Sequence, residues 1–204
     1  MNTTIRILAI SGSLRVNSLN TEVLRACGIL APPSLQITVF DSLASLPHFN
    51  PDLDAEGAVL PGSVEDFRHQ VGEADAILIS SPEYAHGVPG SLKNALDWLV
   101  AASEMVSKPI GLLNISPRST YAYAALRETL AIMSTLLIPA AMVELPLTRS
   151  MVSAERIAAN PEIADRLLPA LVSLRLAGAQ YRLRSAEWRT VAATVGVRES
   201  FASR

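Results

Sequence analysis

Residues 80–99, SSPEYAHGVPGSLKNALDWL, carry the reading that decides the fold. The β-branched run AILIS at 76–80 leads into them, and Pro82, Gly87, Pro89 and Gly90 then break regular structure. Leu92, Ala95, Leu96 and Leu99 follow at helical spacing. A strand that enters a Pro/Gly-rich loop and passes directly into a helix is the repeating unit of an α/β protein. Working outward, the unit recurs at the start of the chain, where the apolar run 5–10 meets SGSLRVNSLN at 11–20 and a helical pattern over 19–30. Further strands are expected at 35–40, 110–115 and 140–145, and further helices at 64–73, 92–101, 121–137 and 161–184. Five strands alternating with helices imply a parallel sheet with helices on both faces, most simply in the order 2-1-3-4-5. Such sheets bind ligands beyond the carboxyl ends of their strands, where the strand order reverses. In this order that point lies between the first and third strands, which feed the two loops just quoted.

Local signals punctuate the pattern. Ser63 with Asp66 three residues on reads as a capping box, Ser91 as an N-cap, and Asn160-Pro161 as an N-cap followed by a proline at the first helical position. Residues 41–61, with Pro47, Pro51 and Pro61 and little periodicity, read as a surface connection. Pro169 is placed to kink the last helix, and the pattern fades after Glu187. The expected organisation is one domain over 1–187 and a tail over 188–204.

The 204 residues can share one hydrophobic core. Half are hydrophobic, 18% are charged and the mean hydropathy is +0.30, an apolar surplus that points to a buried interface between subunits. Seventeen basic and nineteen acidic side chains leave a net charge of -2, and no basic cluster offers itself to nucleic acid or to an anionic membrane. Cys27 is the only cysteine, which rules out an internal disulfide, an iron–sulfur cluster or a cysteine-rich zinc site and points to a reducing cytoplasm. The first apolar run is broken at Ser11 and Gly12, unlike a secretion signal. The most apolar window, 130–143, contains Ser134, Thr135 and Pro139 and falls short of the roughly 20 residues of a membrane span.

The first loop is rich in donors. Ser11, Ser13, Arg15, Ser18 and Asn20 offer hydroxyls, a guanidinium and an amide, and the helix beginning near Leu19 adds unpaired backbone N–H groups. This is chemistry for an anion such as a phosphate monoester; the plainer reading is a polar turn at a helix start with a solvated Arg15. The loop has neither the lysine of a P-loop nor GxGxxG spacing, so one terminal phosphate suits it better than a nucleotide triphosphate or a dinucleotide pyrophosphate. In the second loop the prolines and glycines fix the backbone and permit close approach to a flat ligand, beside the ring of Tyr84.

GSLRVNSLN after the first strand and PEYAHGVPGSLKNALDWL after the third together resemble the NADPH-dependent FMN reductase family of flavodoxin-like proteins, which includes quinone, azo-dye and chromate reductases. The resemblance covers residues 5 to about 145. It implies bound FMN, with Ser11, Ser13, Arg15, Ser18 and Asn20 on its phosphate and Pro82, Glu83, Tyr84 and Gly87 along its ring. It implies NADPH or NADH as electron donor, a small-molecule electron acceptor (a quinone, azo compound, chromate or flavin) and a homodimer or homotetramer. Rival readings are a non-enzymatic FMN electron carrier, for which the small net charge is a poor match, and a flavin-responsive regulatory binding protein.

Two departures from the family pattern stand out. Relatives often carry asparagine after the tyrosine, where this chain has Ala85 and His86, and a glycine-rich turn after the fourth strand, where this chain reads SPRSTYAY at 116–123. Ser116 is a candidate for the ring edge. Arg118 is either a charge partner for reduced flavin or an NADPH phosphate, or a solvated loop residue. His86 is either a proton-transfer group or simply exposed. Lys93 and Asp97 are spaced to pair on one helix face and, with Trp98, to support the loop or an interface. Tyr121, Tyr123 and Leu126 suit either a subunit boundary or the core. Cys27 reads as a small buried hydrophobe, and His48 and His69 have no partners at metal-ligand spacing.

Overall fold

The computed structural model describes residues 4–148 and 153–195. Five strands, β1 (Ile5–Ser11), β2 (Leu35–Phe40), β3 (Ala76–Ser80), β4 (Pro109–Asn114) and β5 (Leu136–Glu144), form one all-parallel sheet in the order β2-β1-β3-β4-β5. Alternation along the strands builds two cores. Leu8, Ile10, Ile77 and Ile79 face one side, and Ile7, Ala9, Ala76 and Leu78 the other, as a pleat of period two requires. The first side is covered by helices α2 (Gly62–Glu73), α3 (Gly90–Asp97) and α4 (Thr120–Ile132). The second is covered by α1 (Leu19–Leu30), α5 (Ala154–Ala158) and α6 (Pro161–Val195).

The expected strand order and layering are observed, and several local expectations are corrected. The N-cap positions of α2 and α3 are Pro61 and Pro89, with no side-chain cap, so Ser63 and Ser91 lie inside the first turns. In both cases a Pro-Gly pair turns the chain into the helix earlier than the serine would. Helix α4 ends at Ile132 because Ser134 enters the left-handed region, at φ 59°. The apolar run after it is strand from Leu136, with Pro139 tolerated because β5 is an edge strand. Asn160 does cap α6, its Oδ1 accepting from the Ile163 amide at 3.3 Å. That helix continues past Glu187 to Val195, with no break at the expected start of the tail; residues 196–204 lie outside the described residues.

The connection over 41–61 is more than surface. Leu43 and Leu46 are buried, Phe49 packs edge-on against Trp98 with centroids 5.0 Å apart, and the Trp98 indole donates to the Pro47 carbonyl. Trp98 is therefore a core residue of the α3 region, not an interface residue. Cys27 is fully buried, and burial pushes its thiol up to about 12.

Candidate cofactor site

Register brings the two informative loops together. Ser11 and Ser80 are partners at the carboxyl ends of β1 and β3, and the Gly12 amide extends the pairing to the Ser80 carbonyl at 2.9 Å. Gly12 is required by proximity: a Cβ there would lie 2.4 Å from Ser81 Oγ and 2.9 Å from Ser81 Cβ. Asn20 forms a second tie, its buried side-chain oxygen accepting from Ser80 Oγ at 2.9 Å. The carboxamide oxygen of Asn20 is thus turned inward as a strut between loops, and does not face a ligand.

In the first loop the hydroxyls divide into two groups. Ser11 Oγ accepts from Thr21 Oγ1 at 2.9 Å and from the Ser13 amide at 3.3 Å, and Ser13 Oγ accepts from the Arg15 amide at 3.4 Å. These bonds shape the loop. Ser18 differs: it is the N-cap residue of α1 and 4% exposed, yet its side chain makes no capping bond. An N-cap hydroxyl that makes no capping bond leaves itself and the first amides of the helix open to an anion. Arg15 is exposed and makes no ion pair among the described residues. Glu22, the acid in the first turn of α1, is turned away, its carboxylate bound to Arg25 at 2.6 Å and to the Ala154 amide at 2.8 Å. The loop fits a phosphate group: among the described residues Arg15 has no ion pair, the Ser18 hydroxyl does not cap the helix terminus, and the nearby Glu22 carboxylate is engaged elsewhere.

The second loop is a tight hairpin. Tyr84 and Gly87 exchange backbone hydrogen bonds of 3.1 and 2.9 Å around Ala85 at φ 49° and His86 at φ 58°. A two-residue turn with both central residues at positive φ is of type I′, normally the territory of Asn-Gly. Histidine tolerates this region better than most residues, but alanine has no such excuse, and the left-handed conformation costs about 1–2 kcal/mol per residue. Contacts from α4 hold the hairpin. Glu83 Oε2 accepts from the Ala122 amide in the first turn of α4 at 2.8 Å, and the His86 ring stacks on Tyr121 with centroids 4.3 Å apart and planes 13° apart. The Glu83 carboxylate is therefore a helix cap, and neither contact is visible in the sequence, where the partners lie more than thirty residues apart. Tyr84 remains 56% exposed and Pro82 half-buried.

The loop after β4 completes the rim. Ser116 takes the Arg118 amide on its hydroxyl at 3.3 Å and gives its own amide to Asn114 Oδ1. Arg118 is exposed and without an ion pair among the described residues. Leu126 is buried core, Tyr123 packs partly against that core, and Lys93 pairs with Asp97. Among the described residues no group of three His, Cys, Asp or Glu side chains is placed to hold a metal, and no helix is long and apolar enough to cross a membrane. Two clefts, of about 530 Å³ between α6 and the end of α2 and about 570 Å³ beside α3 and α4, lie away from the loops.

An all-parallel five-stranded sheet in this order, with helices on both faces and the two loops joined at its switch point, defines a flavodoxin-like protein. Residues 5–147 match the profile of the NADPH-dependent FMN reductases, and the chain belongs to that family. It is 40% identical over 118 residues to an NAD(P)H-dependent FMN reductase of Pseudomonas aeruginosa, covering 57% of this chain and 62% of that protein. It is 35% identical over 112 residues to a quinone reductase of Escherichia coli, covering 54% and 59%. The matched part thus spans about three fifths of these relatives' length. Among solved structures, the flavoenzyme NAD(P)H:(acceptor) oxidoreductase of Paracoccus denitrificans superposes with a TM-score of 0.72 at 24% identity, over 87% of this chain and 99% of that one, a likeness of fold.

Proposed function

We propose that the protein is an FMN-dependent NAD(P)H oxidoreductase that reduces a small planar or oxyanionic acceptor: a quinone, an azo compound, chromate or a flavin. One observation carries the reading: the Ser18 hydroxyl leaves the N-terminus of α1 uncapped, in the same loop as Arg15, which makes no ion pair among the described residues. Family membership and the names of the relatives support it. Arg15, Ser18, Ser13 and the first amides of α1 hold the phosphate, while Ser11 and Asn20 keep the loop in shape. Backbone groups of Pro82–Gly87 line the ring, with Ser116 at its edge. When bound, FMN supplies two-electron transfer between nicotinamide and acceptor; the chain supplies position, charge and exclusion. Arg118, with no acidic neighbour bonded to it, gives the rim a positive charge suited to a phosphate of NADPH or to an anionic acceptor. The exposed Leu14, Val16 and Tyr121 around the loops support a homodimer or homotetramer with the cofactor near the subunit boundary, and the free, buried Cys27 suits a reducing cytoplasm.

The test is a visible spectrum of the purified protein reconstituted with FMN, followed by anaerobic NADPH and then a quinone. Flavin bands that bleach with NADPH and return with quinone are expected. Bound FMN that NADPH does not bleach would turn the reading into that of an electron carrier or a sensor, and failure to bind FMN would remove it.

A further inference from the structure

We propose that Glu83 and Tyr121 are positioning residues that hold the ring loop in the shape the flavin ring meets, so that the start of α4 sets affinity for the ring independently of the phosphate. This rests on the FMN reading above. The hairpin has every reason to open by itself: Ala85 and His86 both lie at positive φ, neither is glycine, and the turn is closed only by the Tyr84–Gly87 pair. Two contacts oppose the opening, and both come from consecutive residues in the first turn of α4. The Glu83 carboxylate binds the Ala122 amide just before the hairpin, and the Tyr121 ring stacks on His86 at its tip. Tyr121 is 59% exposed, so its role is not to fill the core. The arrangement grips the hairpin at its base and its tip from a single helix end.

A gripped hairpin is preorganised, and preorganisation appears as affinity for whatever it contacts. Since the phosphate loop sits on α1, loss of the grip should weaken every flavin with a ring, whether or not it has a phosphate. The experiment uses the full chain freed of flavin, with FMN and riboflavin as probes read by fluorescence quenching, and amide exchange at Gly87, whose N–H closes the turn onto the Tyr84 carbonyl. In Tyr121→Leu and Glu83→Ala, Gly87 exchange should speed up about tenfold and both flavins should weaken by a common factor of about 3–10. Tyr121→Phe, which keeps the ring, should restore both readings. Ala85→Gly placed in Tyr121→Leu should recover part of the loss, because glycine accepts positive φ without strain. Unchanged Gly87 exchange in both variants overturns the proposal, as does a loss confined to FMN, which would locate the effect at the phosphate loop. If the wild type binds neither flavin, the cofactor reading falls and takes the flavin half of the proposal with it, while Gly87 exchange still decides whether α4 holds the hairpin.

Discussion

At the amino ends of the strands polar groups are paired, and at the carboxyl ends several are left open. Arg6 pairs with Glu73 at 2.8 Å, and Asp75 takes the Arg6 amide and the guanidinium of Arg182 from α6. Lys108, fully buried just before β4, donates to the Val71 and Ala74 carbonyls at 2.7 Å and lies 4.8 Å from the Tyr181 ring centroid. Helix α6 is pressed close there, since a Cβ on Gly178 would meet Ile5 Cγ2 at 3.0 Å. At the other end Ser18, Arg15, Arg118 and the Ser119 hydroxyl make no side-chain hydrogen bond or ion pair among the described residues. One pole is satisfied by the protein itself and locks the last helix onto the sheet; the other keeps donors that no other described residue takes up. The cleft of about 530 Å³ at the satisfied pole is polar, but its charged side chains Arg6, Glu73, Asp75 and Arg182 already have partners.

Substitution of Lys108 tests that contrast most strongly. Lys108→Ala removes a packed side chain and the ammonium bound to the Val71 and Ala74 carbonyls, of which Val71 keeps only the Ala74 amide at 3.3 Å, so it should destabilise the fold by about 4 kcal/mol in chemical denaturation. FMN affinity of the folded fraction should stay within about twofold. At the opposite pole, Arg15→Ala should weaken FMN by about 10–100-fold, or about 1.4–2.7 kcal/mol, through loss of a charge-assisted phosphate contact. Its stability without flavin should stay within about 0.5 kcal/mol of wild type. A variant that moved both quantities would dissolve the distinction between the poles.

Much of this was legible in the sequence, and what was hidden has a common cause. Strand and helix identities follow from local periodicity, and Ser11, Ser13, Arg15 and Ser18 stand together because the loop is contiguous. Lys108 could not be read: a lone lysine before a strand looks solvated, and only the end of α2 and Tyr181 of α6 reveal three carbonyls and a ring around it. The capping role of Glu83 is hidden for the same reason, since its partner amide is 39 residues away. The start of β5 is not legible because LLIPAAMV is apolar throughout, and period alone does not separate a buried helix from a strand in such a run.

Acidity offers a finer probe of the satisfied pole. Burial pushes the Lys108 ammonium down to about 8 from its ordinary 10.5. Between those values the unfolded chain binds the extra proton, so stability rises with pH, and below about 8 both states are protonated and Lys108 adds no pH dependence. The stability difference between wild type and Lys108→Ala should therefore widen by about 2 kcal/mol from pH 8 to pH 10. A constant difference would mean that Lys108 titrates as an ordinary surface lysine.

The smallest effects separate a structural serine from one kept for a ligand. Ser153 accepts from the Arg156 amide and Asn160 from the Ile163 amide, so each satisfies a helix N-terminus, and alanine at either position should cost about 1 kcal/mol. Ser18 and Ser119 occupy the corresponding positions of α1 and α4 without any such bond. With no cap to lose, Ser18→Ala and Ser119→Ala should each cost the flavin-free protein less than about 0.5 kcal/mol, while Ser18→Ala alone should weaken FMN by roughly fivefold, the net value of one hydrogen bond. If Ser18→Ala instead destabilised the flavin-free protein as much as Asn160→Ala does, its hydroxyl would belong to the fold, and the open pole would lose the group that most directly marks it as a binding site.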